Sequence, residues 1–206
     1  MKIKICGITN LEDALLCESL GADALGFIFY KGSKRYIAPE TAAGIIKSLS
    51  PFTMKVGVFV NENTEGINNI ASIIKLNAVQ IHSDELPEII KLINFSVIKS
   101  FRVSDNFDFG MLKQYPGMHY LLDTYSESEY GGTGKVFNWK NIPEEYKSKI
   151  ILAGGISIDN IEEVYKKVKP SAVDVSSSLE STPGRKDKDK VIKFFEKINE
   201  LKGKTC

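Results

Sequence analysis

Ile3-Lys4-Ile5-Cys6-Gly7-Ile8-Thr9 contains the first short apolar run of the chain and the turn that follows it. Such a run is typical of a parallel strand that is buried on both faces. An open nucleotide-binding sheet normally carries a glycine-rich fingerprint directly after its first strand. Cys6-Gly7-Ile8-Thr9 is not that fingerprint. The turn therefore favours the other arrangement of alternating strands and helices, a closed (β/α)8 TIM barrel.

Seven more strand candidates follow the first one along the chain of 206 residues. The eight candidates are Ile3–Cys6, Ala24–Phe29, Lys55–Val60, Ala78–Ile81, Val97–Phe101, Tyr120–Asp123, Ile150–Ala153 and Ala172–Val175. Amphipathic stretches lie between them and predict helices, because their apolar residues recur at i, i+3, i+4 and i+7. The fifth and sixth of these stretches, Asp105–Gln114 and Asn138–Tyr146, carry few periodic apolar positions. We expect the fifth and sixth helices to be short or irregular.

Local signals mark several helix boundaries. Thr9 and Glu12 have the spacing of a capping box, which predicts the start of the first helix. Pro39 suits the first turn of the second helix. The alternating charges of Arg185–Lys190 predict a solvent-exposed start of the last helix. No linker or low-complexity segment interrupts the pattern, so we expect one barrel domain spanning residues 1–206.

Composition narrows the functional class. The formal net charge is +1, and no clustered basic face indicates a nucleic-acid partner. The three cysteines match no disulfide or zinc pattern. His82 and His119 are expected on opposite faces of the barrel, which argues against a metal site. No signal peptide and no apolar run of roughly 20 residues is visible, so we expect a cytoplasmic protein without a membrane partner.

Two residues at strand ends are the catalytic candidates, because barrel active sites lie at the carboxyl ends of the strands. Cys6 ends the first strand and could act as a base if its surroundings favour the thiolate, or could be a small buried hydrophobe. Asp123 ends the sixth strand, where burial should raise its pKa and suit it to general acid catalysis. The alternative for Asp123 is an ordinary loop cap.

Other strand ends carry candidate binding residues. Arg35 could grip a carboxylate through two parallel hydrogen bonds, or could be an exposed loop charge. The loops after the seventh and eighth strands predict a phosphate site. The candidates there are Gly154, Gly155, Ser176, Ser177 and Ser178. Gln80 and His82 end the fourth strand, where His82 is expected to line the site. The long loop Thr124–Val136, which contains Gly131–Gly134, is either a lid over the active site or a surface loop without a role there.

Several blocks in the same order resemble the phosphoribosylanthranilate isomerase family. They are Lys4–Thr9, Gly21–Phe29, Ser33–Ile37, Lys55–Asn61, Val79–His82, Gly131–Gly134, Leu152–Ile156, Val173–Ser177 and Pro183–Asp187. Together they cover essentially the whole chain. Two positions depart from the family pattern, since Ser83 and Ser178 stand where the family usually has glycine. Leu179 also replaces a family valine, and this second departure touches the phosphate loop.

The resemblance implies an Amadori rearrangement of a phosphoribosyl anthranilate in tryptophan biosynthesis, without cofactor or metal. Cys6 matches the family's general base, Asp123 its general acid and Arg35 its carboxylate-binding residue. The glycines and serines after the last two strands match its phosphate site. A small phosphosugar is the implied partner, and the chain is expected to be a monomer or homodimer.

Three other functions fit the sequence less well. A histidine-pathway isomerase uses a carboxylate where this chain has Cys6. A metal-dependent epimerase would need a His/Asp ligand set that the sequence lacks. A non-catalytic phosphosugar-binding barrel would leave the pair Cys6 and Asp123 without a purpose.

Overall fold

The computed structural model describes residues 1–124 and 137–203. Eight parallel strands close into a barrel in sequence order, with β1 paired to both β2 and β8. The strands are β1 Lys2–Cys6, β2 Ala24–Ile28, β3 Met54–Phe59, β4 Ala78–Ile81, β5 Ser96–Val103, β6 His119–Thr124, β7 Ile150–Leu152 and β8 Ala172–Val175. The expected (β/α)8 barrel is confirmed, and predicted strand ends differ from these by at most two residues.

Helices of unequal length follow the strands. The α-helices are α1 Leu11–Ser19, α2 Pro39–Lys47, α3 Thr64–Ile73, α4 Pro87–Ile90, α5 Glu144–Lys147, α6 Ile161–Glu163 and α7 Lys188–Gly203. A 3-10 helix, Phe109–Gln114, follows β5, and only Trp139–Asn141 and α5 are described as helical between β6 and β7. The predicted weakness of these two helices is confirmed. The fourth helix, α4, is also a single turn, and only its Ile90 is buried.

Alternation along β1 shows how the strands divide their side chains. Ile3 and Ile5 belong to the main hydrophobic core, which packs the outside of the barrel against the helices. Lys4 and Cys6, at the alternate positions, point to the barrel interior. A smaller apolar cluster that includes Val56 and Leu121 fills part of that interior. The interior therefore holds both apolar side chains and buried polar groups, among them Lys4.

The helix-start predictions had mixed outcomes. Pro39 is the first residue of α2, as expected. The capping prediction for Thr9 is wrong, because Asn10 caps α1 by accepting a hydrogen bond from the Asp13 amide at 2.9 Å. The Thr9 hydroxyl instead donates to the carbonyl of Gly184.

The charge run Arg185–Lys190 is not simply a solvent-exposed helix start. Two short strands, β9 Glu180–Thr182 and β10 Arg185–Lys186, form an antiparallel hairpin before α7 begins. The side chain of Lys186 is fully buried, and its Nζ lies 3.0 Å from Glu180 Oε1. This ammonium is satisfied because it also donates to the carbonyl of Cys6 at 2.7 Å.

Candidate active site

A cleft of about 750 Å³, open to solvent, lies at the carboxyl ends of the barrel strands. It brings together residues that are far apart in sequence and that come from the ends of seven strands. The predicted residues among its lining are Cys6, Arg35, Gln80, His82, Asp123, Gly154, Gly155, Ser176 and Ser177. Ser178 is not in this lining. Its hydroxyl donates to the carbonyl of Ile156 at 2.5 Å, so it links the loops after β7 and β8.

Asp123 is buried at the end of β6, and burial raises its pKa to about 7. The nearby Asp174 raises the pKa further, while the Thr124 backbone and Lys4 oppose the shift. Gly154 packs against this carboxyl with a φ of +80°, and a Cβ there would lie 2.8 Å from Asp123 Oδ1. Near neutral pH a substantial fraction of Asp123 therefore holds a proton that it can give to a bound molecule.

His82 is the neighbour of this carboxyl on the barrel rim. Burial lowers the pKa of His82 to about 4, and the charges of Lys4 and Lys99 add to the effect. The amide nitrogen of Gln80 lies 3.3 Å from His82 Nδ1. Because an amide nitrogen only donates, Nδ1 accepts and the ring proton lies on Nε2. His82 is therefore a neutral donor at the wall of the cleft.

Cys6 is buried at the end of β1, and burial raises the pKa of its thiol. A base at this position needs surroundings that favour the thiolate, and burial alone does the opposite. Lys4 is the main group that opposes this shift. The ammonium of Lys4 lies 2.7 Å from Asp174 Oδ2, and both side chains are buried inside the barrel.

Sequence reasoning missed Lys4 and Asp174. The signal was present, since each is a charged residue between two apolar residues of a buried strand: Lys4 lies between Ile3 and Ile5. Such a residue must face the interior and needs a charged partner there. Asp174 lines the cleft together with Cys6.

Arg35 is not an exposed loop charge. Its Nε lies 2.9 Å and 3.0 Å from the two carboxylate oxygens of Glu180, and its Nη2 lies 2.7 Å from Oε2. Burial acts to raise the pKa of Glu180, but Arg35 and Lys186 outweigh it and lower that pKa. The hairpin thus holds the guanidinium at the cleft. Sequence reasoning missed Glu180, because 145 residues separate it from Arg35.

Gly7 lets the Arg35 side chain approach the turn after β1. Its φ is +77°, and a Cβ at this position would lie 2.7 Å from Arg35 Cδ. Any larger residue would displace the guanidinium.

Within residues 1–124 and 137–203, no group of three or more His, Cys, Asp or Glu side chains is arranged to hold a metal ion. No described helix is long and apolar enough to span a membrane. Most of the loop predicted as a lid lies outside the described residues.

Comparison with known proteins gives one consistent answer. A family model described as N-(5'phosphoribosyl)anthranilate (PRA) isomerase matches residues 3–197. A relative of that name from Trichlorobacter lovleyi is 49% identical over 202 residues, which cover 97% of this chain and 98% of the relative. Another from Thermotoga neapolitana is 46% identical, covering 98% of this chain and all of the relative.

Solved structures agree with the sequence relatives. The phosphoribosyl anthranilate isomerase of Thermotoga maritima superposes with a TM-score of 0.89 at 44% identity, covering 98% of this chain and 99% of that one. A complex of such an isomerase with reduced 1-(o-carboxyphenylamino)-1-deoxyribulose 5-phosphate has a TM-score of 0.86 at 41% identity, over 97% of this chain and 99% of the other. The chain therefore belongs to the N-(5'-phosphoribosyl)anthranilate isomerase family.

Proposed function

We propose that this chain isomerises N-(5'-phosphoribosyl)anthranilate to 1-(2-carboxyphenylamino)-1-deoxyribulose 5-phosphate, with Asp123 as general acid and Cys6 as general base. One observation carries the assignment of roles. A thiol and a carboxyl whose pKa is raised to about 7 line the same cleft at the carboxyl ends of the barrel strands. The raised pKa of Asp123 leaves a substantial fraction of the carboxyl protonated near neutral pH, as a general acid requires.

In the first step Asp123 protonates the ring oxygen of the furanose. The bond between C1 and that oxygen breaks, its electrons stay on the new C4 hydroxyl, and the nitrogen lone pair forms a C1=N iminium. The raised pKa of Asp123 supports this role, because a carboxyl ionised throughout the neutral range could not donate.

In the second step the Cys6 thiolate removes the proton from C2. The C2–H electron pair becomes the C1=C2 bond, and the C1=N pair returns to nitrogen, which loses its positive charge. The enolamine then becomes the ketone when its O2 hydroxyl loses a proton and C1 gains one. The iminium accepts the electrons, so these steps call for no metal or nucleotide.

Binding groups are proposed for both charged parts of the substrate. Arg35, oriented by Glu180, would hold the anthranilate carboxylate through paired hydrogen bonds. The backbone around Gly154 and Gly155, with Ser176 and Ser177, would hold the phosphate. Ser178 would support these loops through its hydrogen bond to the Ile156 carbonyl. Fixing both charged groups orients C1 and C2 between the acid and the base.

The test is turnover by the purified chain without added metal, followed by the loss of anthranilate-type fluorescence. The histidine-pathway aminoaldose is the matched comparison substrate. We expect conversion of the anthranilate compound, with a kcat/KM at least about 100-fold higher than for the other aminoaldose, because only the former presents a carboxylate to Arg35. Preference for the second substrate, or binding of the first without turnover, would overturn the proposal.

Two broader properties belong to the same proposal. We infer a cytoplasmic monomer or homodimer that uses a small phosphosugar and no nucleic acid. A neighbour from Thermotoga maritima is described as a dimeric enzyme converted to monomers. Light scattering of the purified protein distinguishes one copy from two.

A further inference from the structure

The buried ion pair of Lys4 and Asp174 lies beside Cys6 and has no role in the steps above. Lys4 Nζ and Asp174 Oδ2 are 2.7 Å apart, and the side chains are 4% and 8% exposed. The two residues are direct register partners on β1 and β8. Removing two charges from water is costly, so a pair inside the barrel needs a reason beyond stability.

Gly26 shows how close the ammonium and the sulfur are. It pairs with Cys6 in the β1–β2 register. A Cβ at Gly26 would lie 2.7 Å from Cys6 Sγ and 3.1 Å from Lys4 Nζ. Both atoms thus converge on the space left by the missing side chain, so the charge of the ammonium acts on the sulfur. Any larger residue at position 26 would meet both atoms.

We propose that Lys4 is a positioning residue for the base, and that its ammonium, anchored by Asp174, is the counter-ion of the Cys6 thiolate. The S–H proton passes to solvent water in the open cleft, and its electron pair stays on sulfur next to the ammonium. This role rests on the function proposed above for Cys6. Lys4 itself need not touch the substrate.

Three charged groups act on the sulfur, each from a different element. Lys4 on β1 and Lys186 on β10 favour the thiolate, whereas Asp174 on β8 opposes it. Lys186 donates to the Cys6 carbonyl at 2.7 Å, so it acts at the backbone side of the residue. From β2, Cys6 meets Gly26, which carries no charge. Lys4 is therefore the stronger of the two favourable charges.

The test measures the pH dependence of Cys6 alkylation by iodoacetamide, read by peptide mass spectrometry so that Cys6 is separated from other cysteines. The midpoint of the rate against pH reports the thiolate directly and needs no substrate. We expect Lys4→Met to raise this midpoint by about one pH unit or more, which slows alkylation about tenfold at a fixed pH below it. The same variant should lower turnover while product-analogue binding is kept.

Asp174→Asn supplies a test of opposite sign in case Lys4→Met folds poorly. Without the Asp174 carboxylate, the Lys4 ammonium has only the sulfur as a negative partner. The midpoint of Cys6 alkylation against pH should therefore fall. Lys55→Met is the matched control, because Lys55 is also a buried strand lysine, but its Nζ donates to the Ser50 carbonyl at 2.7 Å, away from the cleft. It should leave the midpoint unchanged.

An unchanged midpoint in both Lys4→Met and Asp174→Asn would overturn this role for Lys4, even if turnover fell. That outcome is separate from failure of the proposed function. If Cys6→Ser turned over normally while the midpoints shifted as expected, Lys4 would remain the counter-ion of a thiolate that is not the base.

Discussion

Asp123 Oδ2 and His82 Nε2 face each other at 3.6 Å, yet the two side chains do not form a stable ion pair. Burial raises the pKa of Asp123 to about 7 and lowers that of His82 to about 4, so the usual order of the two groups is reversed. Between about pH 4 and pH 7 the carboxyl is mostly protonated while the imidazole is neutral. The proton stays on Asp123, where the proposed chemistry needs it.

Asp123 should therefore reduce stability as the pH rises. Its folded pKa of about 7 lies above the unfolded value near 3.9, so the folded state binds more protons between these values. Stability from this group is full below about pH 4 and is lost as the pH rises through 7. Asp123→Asn should exceed the natural chain in free energy of unfolding by up to about 4 kcal/mol at pH 8. Urea unfolding at pH 5 and pH 8 checks this.

The matched control for that comparison is Asp159→Asn, at an exposed position. It should show no gain that grows with pH. A gain at Asp123 that is equal at pH 5 and pH 8 would mean that its titration is not responsible.

The pH profile of kcat/KM should be bell-shaped with a rising limb near pH 7. The active form carries a proton on Asp123 and none on Cys6. The more populated form has the Asp123 carboxylate and the Cys6 thiol. Both forms hold one proton, so their ratio does not change with pH. Activity should rise as the first proton is lost, near the Asp123 pKa of about 7, and fall where the thiol ionises, since burial raises that pKa. Steady-state rates between pH 5 and pH 10 test this. A steady decline from pH 6 to pH 8 would contradict it.

Arg35→Lys should raise KM by about tenfold or more and change kcat less. A lysine cannot make the paired hydrogen bonds of a guanidinium. It also cannot make the two-nitrogen contact by which Arg35 binds the Glu180 carboxylate. Initial rates give both constants, and inhibition by inorganic phosphate serves as the control because it does not depend on the carboxylate. If the phosphate inhibition constant changed as much as KM, Arg35 would not act at the carboxylate end.

Ser178→Ala should weaken inhibition by inorganic phosphate by roughly 2- to 10-fold, as expected for loss of one neutral hydrogen bond. The hydroxyl ties the loop after β8 to the Ile156 carbonyl. Ser181→Ala is the control, since its hydroxyl donates to the Arg185 carbonyl at an exposed position of the hairpin. Equal effects of both substitutions would remove the special role of Ser178.

The barrel was predictable because burial on both faces leaves continuous apolar runs that mark the strands. The rise in the Asp123 pKa was predictable for the same reason, since the run Tyr120–Asp123 indicated burial. The roles of Cys6 and Asp123 stay predictions.

Contacts between distant parts of the chain were not predictable from spacing. Glu180 holds Arg35 across 145 residues, and Asp174 holds Lys4 across 170. Lys186 was expected to be exposed because alternating charges usually lie on a solvated face. It is buried because the hairpin brings it to Glu180 and the Cys6 carbonyl.

The most direct test of the acid–base pair is the turnover of Cys6→Ser and Asp123→Asn with N-(5'-phosphoribosyl)anthranilate, measured beside the affinity of each for the reduced product. We expect each variant to lose about 100-fold or more in kcat, as is usual when a general acid or base is removed, and to keep its affinity within a few fold. Near-normal turnover in either variant would contradict the account.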